Sequence, residues 1–350
     1  MKRYKRHRDY GFFDQDIRLS KLSQLGDPLE KLKGGVDFEI FRPLLESSLA
    51  KQAKGKGGRP PYDYVLMFKI LILQRYYNLS DDRLEFQLND RMSFMRFLDL
   101  TISDDIPDSK TVWKFTEVLT DLGLVKPLFK RFEEELDRLN MIVNEGKIVD
   151  ASFIDSPRQR NSRAENAHIK KTGTAPEEWK DNPNKLAQKD IDARWTKKNH
   201  ETHYGYKNHA KVDSKSKLIT DYLVTTASVH DSQALDSLLT KKDKGENLYA
   251  DSAYVGQQET LEKYEMKDQI HEKGYKNAPL TEVQKENNTE KSRTRARVEH
   301  VFGFMENSMG SMYYRKIGKK RAETVVGLIN LTYNMFRKIQ LEKVSMGTCV

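Results

Sequence analysis

The sequence is almost without cysteine, having only Cys349 among its 350 residues. A single thiol can form neither an intrachain disulfide nor a cysteine-based zinc site, so we expect a protein of the reducing cytoplasm. No stretch approaches the roughly 20 uncharged apolar residues of a transmembrane helix. The charged N-terminus lacks the apolar core of a signal peptide. These absences predict a cytoplasmic protein with no membrane partner.

Positive charge, in contrast, is in excess: 61 Lys and Arg stand against 52 Asp and Glu, a net charge of +9. Any one basic cluster is typical of a solvated surface, but three in a basic chain favour a polyanionic partner, most often nucleic acid. The clusters comprise Lys2, Arg3, Lys5, Arg6 and Arg8; Lys51, Lys54, Lys56 and Arg59; and Arg315, Lys316, Lys319, Lys320 and Arg321.

The first 141 residues divide into two regions. We interpret residues 1–61 as a basic arm and linker, because "KGKGGRPP" is rich in lysine, glycine and proline. Residues 62–141 have the apolar spacing of four helices, with Ser80 and either Asp108 or Ser109 as N-caps. Two capped helices there are compatible with a helix-turn-helix that binds DNA, and equally with a bundle that packs or dimerises.

Strand patterns begin after residue 145. "KIVDASFI", the hairpin "HYGYKNHAKVD" and "LITDYLVTTAS", and "NLYADSAY" predict strands, and helical patterns follow them. Between them, residues 157–199 carry eleven Lys or Arg against six Asp or Glu without apolar periodicity, which predicts a long polar insertion. The fold class is therefore α/β: a mixed sheet over 145–340 with helices on its faces, preceded by an all-α region and followed by a tail at 341–350.

Two aspartates end strand-like segments, Asp150 in "KIVDAS" and Asp251 in "LYADSA". In open α/β sheets, sites assemble at the carboxyl ends of strands. Two neighbouring carboxylates repel each other unless a cation such as Mg²⁺ or Mn²⁺ lies between them. Two such ions would stabilise the attacking and leaving oxygens of a phosphodiester. The alternative for each aspartate is a cap on the turn that follows.

A third carboxylate would complete such a site, and Glu299 is the first candidate. It stands one helical turn after Arg295, a spacing that also occurs in ordinary surface ion pairs. Spacing alone leaves four rivals open, namely Glu282, Glu286, Glu290 and Glu306.

Six ordered blocks resemble the insertion-sequence transposases of the DDE class, in the group founded on insertion sequence five. They are "IVDASFID", "THYGYKNHAKVD", "TTASVHDSQALDSLL", "LYADSAYVG", "RVEHVFGFM" and "VVGLINLTYNMFR", preceded by "IPDSKTVWKF" and by the helical block from "GRPPYDY" onward. The resemblance implies a ribonuclease-H-like fold in which Asp150, Asp251 and Glu299 hold two Mg²⁺ ions, with Mn²⁺ as a substitute. It also implies binding of terminal inverted repeats, hydrolysis that frees a 3′-OH, and strand transfer into target DNA.

The resemblance further implies a homodimer or larger assembly that brings two transposon ends together on DNA at the nucleoid. A DNA-binding regulator without cleavage, and a nuclease without strand transfer, are the alternatives. In the family's last motif, a tyrosine and a lysine flank the Arg–Glu pair, whereas Ser292 and Glu306 stand here. Another base, such as Arg315, would have to replace that lysine.

Several further residues are candidates for DNA contact. Trp179 and Trp195 lie in the polar insertion, where they would either stack on an unpaired base or anchor the insertion. His209 is assigned a DNA-facing or structural role. The remaining candidates, beside the basic residues of the N-terminal clusters, are Ser109, Lys110, Lys207, Arg295, Arg297, Arg315 and Lys316.

Overall fold

The structure is a computed structural model that describes residues 11–50, 60–156, 160–198, 200–310 and 314–347, with side chains as far as residue 344. Within these ranges, eight α-helices precede the first strand. They are α1 (Asp14–Gln24), α2 (Pro28–Gly35), α3 (Arg42–Leu49), α4 (Tyr64–Tyr76), α5 (Asp81–Asp90), α6 (Met92–Leu98), α7 (Ser109–Asp121) and α8 (Val125–Arg138).

The described residues after α8 form six strands and eight further α-helices. The strands are β1 (Gly146–Asp155), β2 (Arg194–Lys198), β3 (Glu201–Asp213), β4 (Ile219–Thr226), β5 (Asn247–Ala250) and β6 (Lys267–Ile270). The helices are α9 (Arg163–Thr172), α10 (Glu177–Lys180), α11 (Pro183–Gln188), α12 (Leu235–Leu238), α13 (Gln258–Lys263), α14 (Glu282–Arg295), α15 (Arg297–Gly303) and α16 (Lys319–Gly347).

All six strands belong to one mixed sheet. Its order is β2-β3-β1-β5-β6, and β4 pairs with β3 on the same edge as β2. The strand β3 runs antiparallel to β1, β2 and β4, whereas β5 and β6 run parallel to β1. This is the ribonuclease-H-like α/β arrangement, so the predicted fold class is confirmed.

The sheet is covered on both faces, because successive residues of a strand point to opposite sides. Ile148 of β1 belongs to a large core shared with the N-terminal helices and α16, whereas the next residue, Val149, belongs to a smaller core with Leu235 and Leu248. The long helix α16 packs against α2, α4, α7 and α8 and also against β4. The helical region and the sheet therefore share one hydrophobic core.

Residues 11–50 differ from the expected basic arm. They form α1 to α3, and Leu29, Leu32, Phe41 and Leu45 are completely buried. The apolar positions are sparse among charged residues, so their periodicity is weak in the sequence, yet α2 packs against both α6 and α16. Residues 1–10 and 51–59 lie outside the described residues.

The helical region also differs in detail from four helices. Arg91 adopts an extended conformation (φ −99°, ψ 111°), which divides the predicted second helix into α5 and α6. Ser80 caps α5, and Asp108 rather than Ser109 caps α7. Because α6 and a loop lie between α5 and α7, these two capped helices are not joined by a short turn, although they pack against each other.

The polar insertion is not a structureless loop. Its described residues form α9, α10, α11 and β2, and Ser162 and Glu165 make a capping box at the start of α9. The predicted tail is also partly helical, since α16 continues to Gly347. Over the described residues, no helix is both long enough and apolar enough to span a membrane.

Candidate active site

Asp150 and Asp251 are brought to the same level of two neighbouring parallel strands. In the pairing of β1 with β5, Ile148 lies opposite Tyr249, and two further residues along each strand lead to Asp150 and Asp251. Asp251 directly follows the last residue of β5, as expected. Asp150 lies in the middle of β1 rather than at its end, because β1 continues along β3 to Asp155. It nevertheless lies just beyond the segment that pairs with β5.

Arg295, the last residue of α14, links two of the three predicted acids. Its Nη1 donates to Oδ2 of Asp150 at 3.0 Å, and its Nη2 donates to Oε1 of Glu299 at 3.5 Å. The Nε of Arg295 is buried without a hydrogen-bond partner among the described residues. The guanidinium is thus the positive group that compensates Asp150 and also restrains Glu299.

The carboxyl of Asp150 is an unfavourable place for a negative charge. Burial, opposed by the backbone N–H of Ala151 and by Arg295, raises its pKa to about 6, and the negative charge of Asp251 contributes to the rise. The side chain is 14% exposed. A raised carboxyl pKa beside a second carboxylate is the electrostatic pattern of a site built to receive a cation.

Asp251 has a second, structural task. Its Oδ1 accepts a hydrogen bond from the backbone N–H of Ala253 at 2.9 Å and so caps the 3₁₀ segment Ser252–Tyr254. The capping alternative considered from the sequence therefore applies to one oxygen of Asp251. Its Oδ2 has no hydrogen-bond partner among the described residues.

Glu299 lies on α15 and is 66% exposed, with Arg295 as its ion-pair partner. The rival Glu306 lies in a π turn, Phe304–Ser308, where the regular helical spacing is interrupted. In the described part of the chain, no three acidic, histidine or cysteine side chains are grouped closely enough to hold a metal. The structure therefore pairs Asp150 with Asp251 and connects Glu299 to them through Arg295.

Three residues that the sequence analysis left out of the site lie next to this acidic pair. His271 follows β6, its backbone N–H bonds to the carbonyl of Ala250, and its Nε2 lies 3.2 Å from Oγ of Ser292. Burial, helped by the charge of Arg295, lowers the pKa of His271. Asp231 and Tyr254 lie on the sheet face of the smaller core, where the segments Asp231–Ala234 and Ser252–Tyr254 pack together. Tyr254 follows Asp251 by three residues in the sequence, whereas only the sheet topology brings His271 to the site.

Two candidates for DNA contact on β3 have their side chains inside the protein, which for His209 agrees with the structural role considered from the sequence. His209 is fully buried, its Nε2 lies 2.8 Å from Oγ1 of Thr225, and burial lowers its pKa to about 4. Lys207 is also buried, where its Nζ donates to Asp231 at 2.7 Å. Both stabilise the sheet's interior rather than face a ligand.

The tryptophans of the insertion anchor it, which is the second of the two roles considered. Trp179 is 0% exposed, and its Nε1 donates to Glu165 at 2.9 Å. The indole of Trp195 donates to the carbonyl of Asn161 at 2.7 Å and packs 4.8 Å from the ring of Tyr204. The fully buried Trp179 has no ring face available to a base.

The remaining basic candidates have mixed positions. Lys110 is exposed at the first turn of α7, where the backbone N–H of Ser109 donates to Glu85 at 2.7 Å. Arg297 donates to the carbonyl of Ser214 at 2.7 Å, and the exposed Arg315 donates to that of Asn78 at 3.0 Å. Lys316 is mostly buried near Glu117. Seven candidates lie outside the described residues: Lys2, Arg3, Lys5, Arg6, Lys54, Lys56 and Arg59.

Comparison with known proteins finds similarity to transposases. The family described as "Transposase DDE domain" matches residues 144–335, which include the whole sheet and all three predicted acids. The family described as "Transposase domain (DUF772)" matches residues 17–117. A solved structure, described as a cryo-EM structure of the piggyBac transposase synaptic complex with hairpin DNA, is similar with a TM-score of 0.47 and 12% identity; the match covers 93% of this chain and 77% of that one.

The DDE match covers more than half of the chain, so this protein belongs to the DDE-domain transposase family.

Proposed function

We propose that this transposase binds the terminal inverted repeats of an insertion sequence of the group founded on insertion sequence five. It hydrolyses a phosphodiester at each end to free a 3′-OH and joins that end to target DNA. The observation that carries the proposal is the alignment of Asp150 with Asp251 on adjacent parallel strands, with Arg295 extending from Asp150 to Glu299. The DDE family match covers all of these residues.

The donor set fits a hard divalent cation. Carboxylate oxygens are the ligands that Mg²⁺ and Mn²⁺ prefer, and the raised pKa of Asp150 reflects its burial, to which the negative charge of Asp251 adds. Asp150 and Asp251 would hold the ions, two per site, and Glu299 would complete the set. When bound, these ions stabilise the charge on the attacking and leaving oxygens of the phosphodiester.

The protein's own groups have separate tasks around this chemistry. Arg295 neutralises Asp150 and restrains Glu299, so a cation that binds the pair competes with the guanidinium. Released from that contact, Arg295 is placed to contact a DNA phosphate, as a guanidinium forms strong charge-assisted hydrogen bonds with phosphate oxygens. His271, whose pKa is lowered, stays neutral beside the site and adds no positive charge that would oppose the cation.

DNA recognition is proposed for the helical region 62–141, with 145–340 as the catalytic domain. Lys110 is exposed at the first turn of α7, where its ammonium would contact a base edge in the major groove. The basic clusters at residues 2–8 and 51–59 would add contacts that position DNA without reading its sequence. Bringing two ends together requires at least a dimer.

The test uses the full chain and a duplex that carries the inverted repeat bordering its own reading frame, with Mg²⁺. We expect a nick at the repeat boundary and then a product joined to target DNA. Binding without a nick would support a regulator, and a nick without joining would support a nuclease.

Glu299→Gln should abolish the nick, and the matched control Glu306→Gln should retain it. The opposite pattern would show that the third acid is Glu306, two helical turns further along.

A further inference from the structure

The helix α14, which carries Arg295, has no side chain in either hydrophobic core. None of its 14 residues is buried, and every one of its partly buried side chains is polar. A surface helix is ordinarily held to its domain by an apolar stripe that faces the core. Because α14 has no such stripe, polar contacts must fix its position on the sheet.

A polar stripe takes the place of the apolar one. Successive spacings of three and four residues put its members on one face of α14, and they are Asn288, Lys291, Ser292 and Arg295. Asn288 makes two hydrogen bonds with the backbone of Glu272, which follows β6. Its Oδ1 accepts from the N–H of Glu272 at 2.8 Å, and its Nδ2 donates to the carbonyl of Glu272 at 3.0 Å.

Two further members of the stripe contact the residues just before Glu272. Nζ of Lys291 donates to the carbonyl of Ile270 at 2.9 Å. Oγ of Ser292 lies 3.2 Å from Nε2 of His271. The stripe therefore follows three consecutive residues at the carboxyl end of β6, and Asn288 is the member that makes two bonds there.

The segment that receives α14 is joined directly to the acidic pair. The backbone N–H of His271 donates to the carbonyl of Ala250 at 3.1 Å, and Ala250 precedes Asp251. At the other end of the stripe, Arg295 donates to Asp150 at 3.0 Å. The contacts of α14 thus run from the strand end beside Asp251 to the carboxyl of Asp150.

We propose that Asn288 is a positioning residue of the catalytic site. Its two hydrogen bonds with Glu272 fix where α14 lies on the strand ends. The position of α14 in turn sets where Arg295 and Glu299 stand relative to the acidic pair. The proposal rests on the proposed function, because it gives Asn288 a task in the same reaction. A displacement of about 1 Å at a catalytic group is enough to slow a reaction about 100-fold.

The test is Asn288→Ala in the full chain. Alanine favours a helix more than asparagine does, so a loss of activity would not reflect weaker helix formation in α14. In cleavage of the repeat duplex at saturating Mg²⁺, kcat should fall about 10- to 100-fold while the KM for DNA stays unchanged. In the metal-free protein, amide hydrogen exchange should become faster in α14 and stay as in the wild type in β1 and β5. The Tm should not change, because α14 opens without exposing a core.

Asn287→Ala is the matched control, because it makes the same substitution at the next residue of α14. Asn287 is exposed, and its Nδ2 lies 3.4 Å from the side-chain Oε1 of Glu272 rather than on the backbone. It should leave kcat and the hydrogen exchange of α14 unchanged.

A wild-type kcat for Asn288→Ala, or an equal loss for Asn287→Ala, would overturn the role of Asn288 and leave the proposed function standing. A lower Tm with faster exchange throughout the sheet would make Asn288 a structural residue and would also overturn that role. A wild-type protein that does not cleave the duplex would overturn the proposed function, and with it the catalytic task of Asn288, even if α14 exchanges faster in the variant.

Discussion

At the scale of single residues, the site is defined by what is unfavourable about it. Asp150 is a buried carboxyl with a raised pKa, and the buried Nε of Arg295 has no hydrogen-bond partner among the described residues. Each of these two features costs stability. Strain of this kind is typical of functional sites, where the fold favours activity over stability.

The raised pKa of Asp150 predicts a pH-dependent stability. Its folded-state pKa of about 6 lies above the ordinary value of 3.8, so the folded chain holds the proton more tightly than the unfolded chain. This tighter proton binding adds to the free energy of unfolding. The added stability is fully present below about pH 4 and is lost as the pH rises through about 6. Its size is roughly 3 kcal/mol at about 1.4 kcal/mol per pKa unit.

Asp150→Asn removes this titration. In urea unfolding of metal-free protein, the variant should gain stability relative to the wild type between pH 4 and pH 7, because only the wild type must bury an ionised carboxylate at pH 7. If the difference in stability between Asp150→Asn and the wild type is the same at pH 4 and at pH 7, the burial of this charge is contradicted.

At the scale of elements, the catalytic strands were predictable and much of the packing around them was not. The strands β1, β3, β4 and β5 follow from apolar runs bounded by polar turns, and Ser80 and Asp108 mark real helix starts. The helices α9 to α11 carry few apolar residues, so the burial of Trp179 among them does not follow from the sequence pattern. Tyr254 and Asp231 meet only through the sheet order, which residue spacing does not encode.

The helix α16 packs closely against both α8 of the helical region and β4 of the sheet. A Cβ on Gly327 would lie 2.7 Å from Cγ1 of Val125 on α8 and 2.3 Å from the hydroxyl of Tyr222 on β4. Gly327→Ala should therefore destabilise the protein by about 1–3 kcal/mol through overpacking, more than the roughly 1 kcal/mol that alanine gains in a helix.

Denaturant unfolding measures this effect. Gly34→Ala near the end of α2 is the control, because a Cβ there has no neighbour within 4 Å. It should leave stability unchanged or raise it. Equal stability of both variants would mean that α16 does not hold α8 and β4 as closely as the structure shows.

At the scale of the whole molecule, the shared core determines how DNA binding must be studied. Because α16 packs against α2, α4, α7 and α8, a fragment of residues 1–140 would expose apolar surface that the full chain buries. The net charge of +9 predicts that binding releases counterions, with a slope of log K against log salt of about −0.9 per phosphate contacted.

Removal of residues 1–8 from the full chain deletes five basic residues, so it should flatten this salt slope and weaken terminal and scrambled duplexes alike. Lys110→Ala on α7 should instead reduce the preference for the terminal duplex. Gel-shift titrations at several salt concentrations measure both. A wild-type protein that binds both duplexes equally would rule out sequence reading by the helical region.

The most direct test of the central claim, that Asp150 and Asp251 together form the cleavage site, is nicking of the terminal duplex by the wild type, Asp150→Asn and Asp251→Asn, with binding of the same duplex measured in parallel. The wild type should cut with Mg²⁺ and not with EDTA. Both variants should bind as tightly as the wild type and produce no nick. A variant that cuts at the wild-type rate with Mg²⁺ would contradict the claim.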